Sequence, residues 1–178
     1  MAAMMDNHGY ILANELDNLR CERLKYNVDK LGARIVEVSN GRGEVLGKKY
    51  ENTFDKVLLD APCSGKGRFL ATDARTYRSW SEKTVKELAK LQRKLLKSAV
   101  TALKPGGEMV YSTCTLNREE NEEILEWAVE ELGVKILEIG INIKNAIPAI
   151  SENKEIEKAM KILPSKETEG FFVAKLSL

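Results

Sequence analysis

Histidine and cysteine are scarce in this 178-residue sequence. The one histidine, His8, stands beside Gly9 near the start of the chain, so a catalytic pair that needs a histidine base would depend on that single residue. The three cysteines, Cys21, Cys63 and Cys114, are too widely spaced for a zinc site and are odd in number, which does not suit a disulfide framework. We therefore expect no bound metal and a reducing compartment, the cytoplasm.

The sequence also lacks a surplus of either charge and any long apolar run. Lysine and arginine total 28 and aspartate and glutamate total 27, a formal net charge of +1. The overall charge therefore gives no evidence on a nucleic-acid partner, which has to be argued from local patches. No apolar run approaches the ~18 residues of a membrane span, and no signal segment opens the chain, so we expect no membrane partner. A hydrophobic content of 43% and a length of 178 residues predict one soluble domain over residues 1–178.

Hydrophobic periodicity predicts strands and helices in alternation. The predicted strands cover residues 10–13, 35–38, 54–59, 108–112, 134–137 and 171–176, and the predicted helices cover 16–31, 81–103 and 117–132. This order predicts an α/β fold with a parallel sheet and helical crossovers. We interpret the helix over 81–103 as scaffold. The remaining predictions are a helix end over 1–7, irregular chain over 141–150 and helix or loop over 151–163.

Two of these strands run into a cysteine. The strand over 54–59 leads to Asp60, Pro62 and Cys63, and the strand over 108–112 leads to Cys114. Residues just past the carboxyl ends of strands line the ligand crevice of an open α/β sheet. The alternative is a small buried cysteine without chemistry. The shared position of the two cysteines favours a functional site.

Two residues shortly after Cys114 indicate the start of a helix. Asn117 followed by Glu120 is typical of a capping box that opens the helix ending near Leu132. A helix N-terminus favours the thiolate form of a nearby cysteine, and the thiolate is the nucleophile. The sequence thus predicts an activated Cys114.

Glu15 follows the first predicted strand. Nucleotide-binding folds place a ribose-binding acid at such a position. Alternatively, Glu15 and Asp17 are acids at a helix N-terminus, where the helix dipole favours them. The sequence leaves both interpretations open.

Cations alternate with aromatic residues beyond the glycine-rich turn. The residues are Lys66, Arg68, Arg75, Tyr77, Arg78 and Trp80. This composition suits single-stranded nucleic acid, with cations on phosphates and rings on bases. Without neighbouring motifs, the simpler interpretation is favoured, in which Trp80 packs at a helix entry and the arginines form a solvated face.

Longer motifs resemble one family. LDAPCSG at residues 59–65 and YSTCT at 111–115 resemble the fourth and sixth motifs of the Fmu/Sun family of RNA cytosine-5 methyltransferases. Further matches are KPGG at 104–107, EENE at 119–122 and EGFFVA at 169–174. The resemblance implies a Rossmann-like methyltransferase fold, S-adenosylmethionine as methyl donor and a cytosine of tRNA or rRNA as acceptor.

The resemblance also implies residue roles. Cys114 would add to C6 of cytosine and so activate C5. Asp60, with a pKa raised in a dry crevice, would stabilise the charge at N3, and Cys63 would release the product. The donor would contact Glu15, Asn40, Asp60 and Pro62. Because the target base must leave its stack, the segment over 66–80 becomes the expected RNA path.

This sequence departs from the family pattern in two respects. The first strand and glycine-rich donor loop of the family, and its N-terminal RNA-binding region, lie ahead of the part that matches Met1. We therefore expect a truncated fold, with a partner chain or dimer over the surface of the missing strand. In addition, Asn40 replaces the usual aspartate of the adenine-contacting loop. The alternatives are a non-catalytic RNA-binding or assembly module, and a DNA cytosine-5 methyltransferase in which Cys63 attacks.

Overall fold

The computed structural model describes residues 1–178 and divides them into two units, Met1–Leu46 and Gly47–Leu178. The single domain expected over residues 1–178 stays a prediction. No helix in either unit is long and apolar enough to cross a bilayer.

The first unit is a βαβ motif, as its sequence predicted. Strand β1 (Ile11–Glu15) and strand β2 (Val36–Asn40) are parallel, and helix α1 (Asn18–Lys30) connects them. Asp17 begins the helix, because its side chain accepts a hydrogen bond from the backbone N–H of Arg20 at 2.8 Å. The helix end expected over residues 1–7 is instead a short 3-10 turn, Ala2–Met5.

The helix predicted over residues 16–31 is confirmed as α1, but its apolar residues do not form a buried stripe. Leu16, Leu19 and Leu31 are exposed, and Cys21 is the one buried residue of the helix. Two short strands offer too small an apolar face to cover a helix of 13 residues.

The second unit contains a six-stranded sheet and two long helices. Its elements are helix α2 (Leu46–Lys49, across the boundary between the units), β3 (Phe54–Asp60), α3 (Glu82–Ala102), β4 (Leu103–Thr113), α4 (Glu122–Leu132), β5 (Lys135–Leu137), β6 (Ala146–Pro148), β7 (Met160–Ile162) and β8 (Phe171–Ser177). The sheet order is β3-β4-β8-β7-β6, and β5 also pairs with β8. Strands β3 and β4 are parallel, whereas every other pair is antiparallel.

The core of this unit lies between the sheet and the two long helices. Its largest fully buried side chains include Leu96 of α3, Tyr111 of β4, Leu125 of α4 and Phe172 of β8. Burial of side chains of this size contributes about 1.5–3 kcal/mol each. The helices and strands that carry the two cysteine motifs are therefore held by one packed core.

Two element boundaries and two short strands differ from the sequence prediction. Strand β4 begins at Leu103, directly after α3, and the glycine at 106 adopts a φ of 75° beside a register shift in the β3-β4 pair. The segments expected to lack strands contain β6 and β7, which pair with each other. Helix α4 begins at Glu122 instead of directly after Asn117.

Strand β3 forms one edge of this sheet. It pairs with β4 along one side only. Leu58 in the middle of the strand is 53% exposed, which is unusual for a large apolar residue in a strand that the core covers on its other face. Asp60, the last residue of β3, is exposed as well.

Candidate active site

The parallel pairing of β3 and β4 brings the two cysteine segments together. Asp60 lies opposite Ser112 in the register, and the N–H of Ala61 donates to the carbonyl of Ser112 at 2.9 Å. The two chains therefore leave the sheet side by side. The sulfur atoms of Cys63 and Cys114 lie 2.9 Å apart, and both residues are half-buried.

The surroundings of Cys63 keep its thiol protonated. Burial, followed by the hydrogen bond with Cys114, raises the pKa of Cys63 from 9.0 to about 12. The N–H of Cys114 donates to the Cys63 sulfur at 3.2 Å. At neutral pH the Cys63 thiol therefore keeps its proton and can donate it in a hydrogen bond to the sulfur of Cys114.

Asp60 and Pro62 flank this pair on the β3 side. The Asp60 carboxylate accepts a hydrogen bond from the Ser112 hydroxyl at 3.1 Å. The dry crevice predicted around Asp60 is not present, because Asp60 ends an edge strand and is exposed. Pro62 is exposed too, and its carbonyl accepts from the Gln92 side chain at 2.9 Å.

A buried carboxylate that the sequence marked only as part of a capping box connects the two cysteine segments. Glu120 is fully buried, and its oxygens accept from the Ser64 N–H (2.9 Å), the Ser64 hydroxyl (2.5 Å), the Gln92 amide (3.1 Å) and the Asn117 amide (3.0 Å). No cation contacts this carboxylate, so neutral donors alone compensate its charge. Glu120 thereby ties the residue after Cys63 to the loop after Cys114.

The capping box predicted from Asn117 and Glu120 does not begin helix α4. Their side chains do contact each other, but a 3-10 turn, Arg118–Glu120, follows and α4 begins only after Asn121. The helix start is thus displaced from Cys114. No periodic signal marks Glu120 as buried, since its burial depends on Ser64 and Gln92 from distant parts of the chain.

A second set of hydrogen bonds holds the loop after β4. The Thr113 hydroxyl donates to the Asn121 side chain at 2.6 Å, and the amide of Asn121 donates to the carbonyl of Thr115 at 3.0 Å. The hydroxyl of Tyr111 donates to the carbonyl of Glu120 at 2.7 Å. Burial holds the pKa of Tyr111 well above its usual value, so this donor keeps its proton.

Two glycines bring a third segment to the site. Gly67 donates its N–H to the carbonyl of Cys114 at 3.1 Å, and its own carbonyl accepts from Gly170 at 2.8 Å. A Cβ atom at Gly67 would lie 2.0 Å from the carbonyl oxygen of Gly170. Only glycine permits this approach, which joins the turn after Cys63 to the start of β8.

In the first unit, the two predicted donor-binding residues lie opposite each other. Glu15 pairs with Asn40 in the β1-β2 register, and the Asn40 amide donates to the carbonyl of Glu15 at 2.8 Å. The Glu15 carboxylate contacts Arg20 at 3.0 Å. The buried side-chain oxygen of Asn14 at the same strand end has no hydrogen-bond partner. Asp17 caps α1, so the interpretation as a helix-start acid is correct for Asp17.

Comparison with known proteins identifies the family. The family described as 16S rRNA methyltransferase RsmB/F matches residues 1–177. The chain belongs to this family. It is a family of S-adenosylmethionine-dependent methyltransferases, which confirms the predicted family and the predicted Rossmann-like fold class.

Curated relatives within the RsmB/F family are much longer than this chain. The ribosomal RNA small subunit methyltransferase F proteins of Escherichia fergusonii and Cronobacter sakazakii are 42% and 41% identical to it over 179 residues. These alignments cover 99% of this chain and 36% of each relative. The chain therefore spans about a third of the length of the curated relatives it matches.

Two solved structures from Pyrococcus horikoshii are similar to this chain. NSun6, solved with the S-adenosylmethionine analogue SFG, has a TM-score of 0.85 and 32% identity, covering 99% of this chain and 43% of its own. A methyltransferase homolog protein has a TM-score of 0.84 and 34% identity, covering 99% and 56%. Both likenesses extend over nearly every residue described above.

The segment expected to carry RNA in this RsmB/F chain forms two short 3-10 turns. Phe69 packs against Tyr77 and Trp80, with ring centroids 5.9 and 6.4 Å apart, and the Lys66 ammonium lies 5.7 Å from the Trp80 ring centroid. Trp80 is half-buried directly before α3. These contacts confirm Trp80 as a packing residue at the helix entry.

The cations of the same segment differ in their availability. Arg75 forms a two-pronged ion pair with Asp73, with distances of 2.9 and 2.8 Å. Lys66, Arg68 and Arg78 are exposed to solvent. The structure thus leaves these three cations facing solvent, while the rings pack on one another.

Proposed function

We propose that this chain carries the methyl-transfer centre of an RNA cytosine-5 methyltransferase that acts on ribosomal RNA. The 2.9 Å contact between the Cys63 and Cys114 sulfurs carries the proposal, because addition to C6 and release from C5 need two groups on one pyrimidine ring. Membership of the RsmB/F family supports RNA as the substrate, and the names of the curated relatives favour rRNA over tRNA.

The first unit has residues that fit S-adenosylmethionine. A carboxylate at Glu15 can accept from ribose hydroxyls, and the Asn40 side-chain oxygen can accept from an adenine amino group. The partnerless buried oxygen of Asn14 is a further acceptor at the same strand end. When bound, S-adenosylmethionine supplies an electrophilic methyl group on a sulfonium sulfur. Asp60 and Pro62 remain predicted contacts of the donor.

Cys114 is the proposed nucleophile. Its thiolate adds to C6 of cytosine, a C–S bond forms, and the electrons of the C5–C6 double bond move toward C5 and the N3 side of the ring. The protonated Cys63 can donate to the Cys114 sulfur before this step, which stabilises the thiolate. Asp60 keeps its predicted place beside N3, where the negative charge develops, and it would donate a hydrogen bond there in its protonated form, since a carboxylate only accepts.

Cys63 is the proposed release group. After C5 has gained its methyl group, the C5 proton passes to the Cys63 sulfur, its electron pair restores the C5–C6 double bond, and the C6–S bond to Cys114 breaks. Because the pKa of Cys63 is raised to about 12, its thiolate is rare at neutral pH. Release should therefore accelerate as pH rises, whereas a role in donation alone would show no such trend.

Covalent trapping tests the roles of the two cysteines. RNA with 5-fluorocytosine at the target carries fluorine in place of the C5 proton, so the adduct persists on a denaturing gel once the methyl group has been transferred. On unmodified RNA, Cys63→Ala should accumulate the adduct, whereas Cys114→Ala should abolish the adduct on both RNAs. Cys21→Ala, which removes the remaining thiol, should behave like the parent chain. The opposite pattern for Cys63 and Cys114 would identify Cys63 as the nucleophile, as in DNA cytosine-5 methyltransferases.

Donor binding is tested separately by calorimetry. The parent chain should bind S-adenosylmethionine, and Glu15→Gln should weaken binding, since an amide replaces a carboxylate that accepts from both ribose hydroxyls. Absence of binding at millimolar donor would contradict catalysis by this chain and favour a non-catalytic RNA-binding or assembly module. The cytoplasmic location and a partner chain or dimer stay predictions.

A further inference from the structure

Helix α3 carries a line of cations that none of the steps above uses. The cations are Lys83, Lys86, Lys90, Arg93, Lys94 and Lys97. At 100° per residue they fall within an arc of about 100°, and they extend along roughly 21 Å of the helix axis. All six are exposed. We call this line the α3 stripe.

The opposite face of the helix fixes the direction of the α3 stripe. Val85, Leu96 and Val100 are buried in the core of the second unit. The helix cannot rotate without exposing these side chains, at a cost of about 1.5–3 kcal/mol each. The stripe is therefore a rigid row of positive charge that faces solvent.

Few of these charges are compensated. Two acidic residues stand among the six cations of α3, which leaves a surplus of four positive charges on the helix. Glu87 pairs with Lys83 at 4.0 Å, an exposed contact of small energy. Arg93 lies 5.7 Å from the Trp127 ring centroid. Lys86, Lys90, Lys94 and Lys97 contact no carboxylate.

The acidic charge of the unit lies elsewhere. The neighbouring helix α4 has five glutamates and no lysine or arginine, and three of these glutamates pair with cations outside α3, namely Glu122 with Lys161, and Glu123 and Glu126 with Arg118. The positive charges of the unit are therefore concentrated on α3 and the negative charges on α4, although the net charge of the whole chain is near zero. A polyanion would be attracted to one face of α3 and repelled by α4.

Helix α3 contacts the candidate active site through the face opposite the α3 stripe. Gln92, on the buried face of α3, donates to the carbonyl of Pro62 at 2.9 Å and to Glu120 at 3.1 Å. Ser81, the first residue of the helix cap, directly follows Trp80 and the exposed cations of the predicted RNA path. A ligand on the stripe would thus lie about one helix diameter, roughly 10–12 Å, from the segment that carries Cys63.

We infer that the α3 stripe is a second RNA-contacting surface, which binds phosphates of the RNA that flanks the target cytosine. This inference rests on the proposed function and specifies how its substrate is held. Lysine contacts to phosphates fix the position of a nucleic acid without reading its sequence. The stripe would therefore set affinity and orientation, while Cys114 acts on the flipped base.

Salt-dependent RNA binding tests the inference. The probe is a fluorescent 16S rRNA fragment with a helix beside an unpaired cytosine, titrated with the parent chain in fluorescence anisotropy from about 50 to 200 mM salt. The triple variant Lys86→Gln, Lys90→Gln, Lys94→Gln should reduce the slope of log K against log salt by about 2–3. At about 100 mM salt its Kd should rise at least ~tenfold.

A variant with the same change in net charge serves as the control. Lys135→Gln, Lys154→Gln and Lys166→Gln change three exposed lysines of the same unit that lie outside α3. Equal urea midpoints for both variants would show that neither has lost its fold. The control should keep the slope and Kd of the parent.

The outcomes separate this inference from the proposed function. An unchanged slope in the stripe variant, an equal loss in the control, or no RNA binding by the parent would overturn the inference. Displacement of the RNA by poly-L-glutamate at equal charge would overturn it as well, in favour of an acidic protein partner. Stripe-dependent binding without trapping on Cys114 would instead overturn the proposed function and leave the stripe as an RNA surface.

Discussion

Substituting Glu120 should reveal how the two cysteine segments are held together. Its carboxylate is fully buried and accepts four hydrogen bonds, two from Ser64, one from Gln92 and one from Asn117. Hydrogen bonds to a charged acceptor contribute about 1.5–3 kcal/mol, and a buried donor left alone costs about 1–3 kcal/mol. Glu120→Ala leaves several buried donors without an acceptor at once. We therefore expect a loss of about 3–5 kcal/mol of unfolding free energy.

Glu120→Gln should be milder. The carboxamide oxygen still accepts two hydrogen bonds, and the Ser64 hydroxyl can rotate to accept from the new amide. It also removes a buried charge that has no cation beside it. We expect a loss of about 1–2 kcal/mol.

Urea unfolding followed by tryptophan fluorescence measures these changes. Both tryptophans, Trp80 and Trp127, lie in the second unit, so the signal reports the unit that contains Glu120. With an m-value of about 2 kcal/mol/M, Glu120→Ala should lower the urea midpoint by about 2 M. Glu119→Ala is the matched control, because Glu119 is exposed on the same 3-10 turn and should change stability by less than about 0.5 kcal/mol.

The same variants test whether Glu120 positions the thiols. In a glutathione redox buffer, the tendency of Cys63 and Cys114 to form a disulfide measures how closely the two sulfurs are held. Glu120→Ala should reduce the equilibrium constant for disulfide formation at least ~tenfold, which corresponds to about 1.4 kcal/mol of free energy. The reasoning would be refuted if Glu120→Ala matched Glu119→Ala in both assays, or if Glu120→Gln cost as much stability as Glu120→Ala.

Three further predictions follow from the same site. Gly67→Ala should cost about 3 kcal/mol in urea unfolding, since its Cβ would meet the backbone of Gly170, whereas Gly140→Ala has open space and should be nearly neutral. Diamide should oxidise Cys63 and Cys114 to one intramolecular disulfide, seen by peptide mass spectrometry, and should leave the buried Cys21 reduced; linkage through Cys21 would contradict the geometry. The folded state raises the pKa of Cys63 from 9.0 to about 12. The contribution of the protonated thiol to the free energy of unfolding is therefore fully present below pH 9 and is lost as the pH rises from 9 to 12. Cys63→Ala should flatten that decline in the urea midpoint, and an equal decline in both chains would contradict it.

Local patterns explain which parts of the fold were predictable. The strands at both cysteines and the long helix α3 follow from apolar periodicity, which is a property of consecutive residues. Strands β6 and β7 have three residues each, and they were missed because each is stabilised mainly by its pairing partner. Helix α1 was predictable from its apolar spacing, but the exposure of its leucines was not, since periodicity states which face is apolar but not whether another element covers it.

The sequence by itself determined the chemistry that is available and where along the chain it stands. It supplied an acid and a thiol at the end of β3 and a second thiol after β4. It also supplied a βαβ motif whose two strands end in Glu15 and Asn40, because strand ends and turn residues are encoded locally. The tertiary structure alone decided the contacts between distant residues. The β3-β4 register places the Cys63 and Cys114 sulfurs 2.9 Å apart although they are separated by 51 positions. Packing buries Glu120, and the edge position of β3 exposes Asp60. The tertiary structure also leaves the α3 stripe facing solvent, because burial and charge balance depend on which surfaces meet.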